Sequence, residues 1–77
     1  MLEETKYVAN YILLNRQNFP LTGKMIEHCF KTMPKSIKTT RSLMDKQLLF
    51  NVLYDQPTEV LKIIAGGEDY EEKGSLL

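Results

Sequence analysis

At 77 residues the chain has room for one domain, near the lower size at which a single core stands without a disulfide or a metal. Hydrophobic residues make up 43% and charged residues 26%, which excludes the composition of a disordered chain; ten basic and ten acidic residues cancel, so net charge argues for neither nucleic acid nor a membrane surface. The lone Cys29 excludes an internal disulfide, no apolar run reaches membrane-spanning length and the N-terminus carries Glu3 and Glu4, so a cytoplasmic protein is the expectation.

From Glu3 to Asn15 the apolar residues Tyr7, Val8, Tyr11, Ile12 and Leu14 recur at three- and four-residue spacing behind two first-turn glutamates, which predicts a first helix. A polar connection ends at Pro20, which disfavours helical geometry in the residue before it. A second helix then opens with Thr22 as N-cap and Leu21 placed to staple onto Ile26, and Met25, Ile26, Cys29, Phe30 and Met33 form its buried side. Cys29 is thus expected in a core as a small hydrophobe. His28 is the only histidine, and its neighbours Glu27 and Cys29 point in other directions on a helix, so no metal site is expected.

Pro34 stops the second helix, and with Ser36 as a cap it predicts a third helix over residues 36–47 after a tight turn. On that helix Ile37, Thr40, Met44 and Leu48 fall on a side suited to a core, and Lys35, Lys38, Thr39, Ser42 and Lys46 on the other. Lysines interleaved with hydroxyls suit a phosphate backbone and base edges, although a solvated helix face has the same composition. Between positions 24 and 46 six basic residues stand against two acidic ones, so a neutral chain can still present a basic face.

Beyond this helix, residues 48–54 and 59–65 are apolar and β-branched about the turn formers at 55–58, which predicts a β-hairpin. A fourth helix is the alternative, with Asp55 as cap, Pro57 in its first turn and Gly66 as its stop. Residues 68–77 read as an acidic, flexible tail.

The order helix, helix, tight turn, helix, hairpin resembles the winged helix-turn-helix superfamily over roughly residues 3 to 66. The local likeness lies in Leu21-Thr22 with Ile26 at the opening of the bracing helix, and in the run from Met44 to Phe50, which is similar to the junction into a wing. Leu48 stands where that family commonly has glycine, Arg41 where it commonly has an apolar residue, and the wing tip carries no basic side chain. The resemblance implies an α+β domain over residues 1–67 with three helices and a wing; the alternative is an all-α four-helix domain. It also implies that Lys35, Ser36, Lys38, Thr39, Ser42 and Lys46 face DNA, with Lys24 and Lys31 on the bracing helix adding phosphate contacts.

The expected function is therefore sequence-specific binding of double-stranded DNA by a small transcriptional regulator that reads the major groove with residues 36–47. One short recognition helix reads few bases, which favours a homodimer; Tyr7, Tyr11 and Leu14 of the first helix offer a surface for it, with core packing the alternative, and favoured, reading of the tyrosines. The alternative is a protein-interaction module or small inhibitor that binds a protein partner. No glycine-rich phosphate loop, paired histidines or nucleophile with a base is present, so neither enzymatic activity nor a cofactor is expected.

Overall fold

The computed structural model describes residues 2–37 and 40–66. Over these the chain forms α1 (Glu3–Asn15), α2 (Gly23–Thr32), α3 (Leu43–Tyr54) and α4 (Thr58–Ala65), with no strand among the described residues. The α+β winged helix-turn-helix is corrected to the all-α four-helix arrangement, and the expected tail at 68–77 lies outside the described residues.

α1 is the helix around which the others pack. Val8, Ala9 and Ile12 on it are fully buried, and the small Ala9 between two branched side chains lets neighbouring helices approach closely. α4 packs most extensively along α1, with α2 and α3 completing the shell. Tyr7 meets Thr32 and Tyr11 meets His28, so α2 runs antiparallel to α1. α3 runs in the same sense as α1, because Arg41 just before α3 meets Glu4 and Arg16 just after α1 meets the end of α3.

Local signals set α2 as expected. Thr22 caps it, its Oγ1 accepting from the Met25 amide at 3.2 Å, and Met25, Ile26 and Cys29 turn inward. The helix ends where Met33 turns extended (ψ 132°) ahead of Pro34, as sterics before proline require.

The third helix departs from expectation at both ends. Residues 36–42 are not helical where described; Ile37 N–H donates back to the Pro34 carbonyl in a turn, and Thr40 to Ser42 lead into the helix without regular structure. The N-cap is Ser42, whose Oγ accepts from the Asp45 amide at 3.2 Å, and Ser36 is left in the turn. Two helix-start signals compete here. Ser42 places the acid Asp45 in the first turn, where the helix dipole favours it, whereas a start at Ser36 would put Lys38 there. The ten residues between α2 and α3 also rule out the tight turn of a helix-turn-helix.

At the other end α3 continues through the residues expected as the first strand, to Tyr54. The second expected strand is α4, with Pro57 at its N-cap and Gly66 closing it at a φ of 152°, a backbone conformation that favours glycine. Asp55 closes α3 instead of capping α4. The β-branched residues of 59–65 are accommodated because Leu61 is fully buried, so tertiary burial outweighs their modest helix propensity.

Phe50 of α3 and Leu61 of α4 complete the core against Val8, Ile12 and Cys29. The Phe50 ring meets Tyr11 edge-on and stacks on Tyr54, each at 6.2 Å between centroids. Arg16 clamps the far end of the molecule: its Nη1 donates to the Tyr54 and Gln56 carbonyls at 2.9 and 2.6 Å, and its Nη2 to Thr58 Oγ1 at 2.9 Å. These carbonyls and this hydroxyl lie at the α3–α4 turn, so one guanidinium ties three helices.

Candidate functional site

The outer face of α3 carries an apolar stripe. Phe50 and Leu53 fill its inward side, yet the helix is apolar on its outward side as well. Met44, Leu48 and Val52 stand at i, i+4 and i+8, 71%, 57% and 58% exposed, in a stripe about 12 Å long. Met44 and Leu48 were expected to face the core; the start at Ser42 and the seating of Phe50 turn them to solvent. Leu2, Leu14, Phe19, Leu21, Leu43, Val60 and Ile63 are exposed too, but they come from different elements, and exposed apolar side chains are by themselves ordinary.

The second feature is a groove between α2 and the start of α3, with a volume of about 990 Å³. Its floor is apolar, from Ile26, Phe30 and Leu43, and Lys24 and Lys31 of α2 and Lys46 of α3 stand around it. Lys46 Nζ sits 5.5 Å from the centre of the Phe30 ring, a cation–π contact that holds the ammonium over the floor. Glu27 is the acid in this lining.

Of the eight residues expected to face DNA, the structure therefore gathers Lys24, Lys31 and Lys46. Ser42 is occupied as the cap of α3, and Lys35 and Ser36 lie exposed in the turn after α2. Lys38 and Thr39 lie outside the described residues. The expected recognition surface, one face of a continuous helix over residues 36–47, is not formed.

Tyr7 and Tyr11 are turned toward α2 and packed against the core, the second of the two roles expected for them. The Thr32 hydroxyl gives its proton to the His28 carbonyl at 2.9 Å, so Tyr7 donates to Thr32 Oγ1, and Tyr11 pairs with His28 Nδ1 at 2.9 Å. Burial, with smaller contributions from Cys29 and Tyr7, raises the Tyr11 pKa and keeps it a neutral phenol. Leu14 remains 62% exposed. Burial also pushes the Cys29 thiol up to about 12, so it is an inert part of the core rather than a nucleophile.

An ion pair joins the linker before α3 to the start of α1. Arg41 Nε donates to Glu4 Oε1 at 2.7 Å, and Glu4 is only 7% exposed. Arg41 thus sits at the edge of the core with its head paired, which fixes where α3 begins relative to α1.

Sequence reasoning missed Leu43, the outward direction of Met44 and Leu48, and the Arg16 clamp. One signal was available for α3: Ser42 followed three residues later by Asp45, ahead of an apolar run, marks a helix start. No comparable pattern marks Arg16, whose acceptors lie about forty residues away.

The fold and these surfaces define the class as a small all-α domain with an apolar helix face beside a basic groove. Comparison with protein-family models, curated proteins and solved structures finds no match for the chain. Among the described residues no helix is long and apolar enough to cross a membrane.

Proposed function

We propose that this chain is a small helical protein-interaction module and that α3 is its partner-facing helix. The observation that carries this is the row of Met44, Leu48 and Val52, more than half exposed on a helix whose opposite side already fills the core. An apolar stripe on the solvent side of a helix is ordinarily covered, so a second protein supplies the missing cover. The three are already partly covered, so burying the exposed remainder would contribute about 4 kcal/mol, at about 2 kcal/mol for a whole side chain. Association costs of about 4–15 kcal/mol absorb that, so the stripe needs further contacts to hold a partner.

The experiment is proximity crosslinking in cells with a photoreactive residue at position 51, beside the stripe, comparing the native chain with Leu48→Glu/Val52→Glu. Both substituted positions are solvent-exposed, so the variant keeps its helical circular dichroism while the crosslinked partner is lost. Unchanged crosslinking by the folded variant would overturn the reading. Titration with a mixed-sequence duplex at low salt is the second arm, and saturable, salt-sensitive binding there would put a nucleic acid in place of the protein partner.

A further inference from the structure

Resting on the reading of the chain as an interaction module, we propose that the groove between α2 and α3 receives an acidic amphipathic helix of a partner protein. The groove is lined by two chemistries that this ligand matches and a bare polyanion does not. Ile26, Phe30 and Leu43 form an apolar floor, with Leu43 71% exposed and the Lys46 ammonium over the Phe30 ring. Apolar side chains of the incoming helix fill that floor, whereas a phosphate backbone would desolvate it with nothing to offer in return.

Three lysines stand about the floor and, among the described residues lining it, Glu27 is the one acid opposite them, which leaves two unbalanced positive charges there. Lys24 and Lys31 are seven residues apart on α2, hence on nearly the same side and about 10.5 Å apart along its axis. Acids two turns apart on an incoming helix have the same spacing. Lys46 comes from the opposite wall, so acids on the other flank of the ligand's apolar row meet it. A row of apolar residues flanked by acids on both sides is the complementary pattern. The volume of about 990 Å³ takes roughly two turns of a helix of 10 Å diameter.

Gly23 at the head of α2 lines this groove, and a Cβ built there would meet nothing within 4 Å. The backbone at this position therefore has room for a side chain, which makes it the place to introduce a plug.

The test is an NMR titration of the full chain with an acetylated peptide of about 15 residues, built of leucine, alanine and glutamate in this pattern. A lysine-for-glutamate version is the control. Binding of the acidic peptide is expected to shift the signals of Ile26, Phe30, Leu43 and Lys46 and to weaken with salt. Lys24→Glu/Lys46→Glu should lower affinity about tenfold or more, Gly23→Trp should reduce it in a chain with unchanged circular dichroism, and Leu48→Glu should leave it unchanged. Equal binding of the basic control, or unchanged affinity in both groove variants, would overturn the proposal. So would tighter binding of a peptide of residues 68–77 than of the designed helix, or of duplex DNA in competition with it. The interaction-module reading fails separately, through the Leu48→Glu/Val52→Glu crosslinking result.

Discussion

Arg16→Ala is the substitution that tests the architecture most directly. The side chain makes three hydrogen bonds at 2.6–2.9 Å, to the Tyr54 and Gln56 carbonyls and to Thr58 Oγ1, across the junction of α1, α3 and α4. Hydrogen bonds from a charged donor contribute about 1.5–3 kcal/mol each, but Arg16 is part-exposed and water can reach the acceptors once it is gone. A net cost of about 2 kcal/mol follows, close to the gain from one well-placed charged hydrogen bond. A domain of this size has roughly 4–11 kcal/mol in all, so the loss should lower the melting temperature by about 10 °C. Arg16→Lys should recover about half of it, because an ammonium cannot span three acceptors as the planar guanidinium does. Urea unfolding followed by circular dichroism gives the free energies, and hydrogen exchange locates them. The amides at the α3–α4 junction, including Leu61, which bonds the Pro57 carbonyl, should exchange faster. A destabilisation below about 0.5 kcal/mol, or exchange unchanged at that junction, would refute the clamp.

Two further substitutions distinguish the two candidate starts of α3. Ser42→Ala should destabilise by about 1 kcal/mol through loss of its bond to the Asp45 amide, whereas Ser36→Ala should be silent; the reverse order in urea unfolding would restore the longer helix. Cys29 supplies a pH dependence. Its folded pKa is raised from 9.0 to about 12, so the folded state retains the proton after the unfolded thiol has lost it. Stability is therefore intact below the unfolded value and falls as pH rises above it, by up to about 1.4 kcal/mol per unit. Cys29→Ala should lose less stability than the native chain as pH rises from about 9 toward 12, and parallel losses would show that the thiol is not buried.

The parts legible in the sequence are those set by neighbours along the chain. α1 was legible from its period and first-turn acids, and α2 from its period, Thr22 and Pro34, because each signal acts within one or two turns. The burial of Cys29 followed from the phase of α2. Lys24, Lys31 and Lys46 were recognisable as a basic set, although the surface they form was not.

The rest depended on contacts between distant residues. Residues 48–54 and 59–65 are short apolar runs that satisfy a strand or a buried helix equally well, and their local composition favoured the strand. Seating Phe50 between Tyr11 and Tyr54, and Leu61 in the core, decided for helices. α3 is apolar on both sides, so periodicity could not say which side faces inward; packing against α1 turned Met44 and Leu48 out and so created the candidate surface. The sequence by itself determined one small core, two of the helices and a locally basic segment, because propensity, capping and charge are local properties. The tertiary structure alone decided which side of α3 faces outward and formed the groove beside α2, because burial is settled by what else is near in space; the start of α3 was carried by the local Ser42 and Asp45 signal, in competition with the one at Ser36.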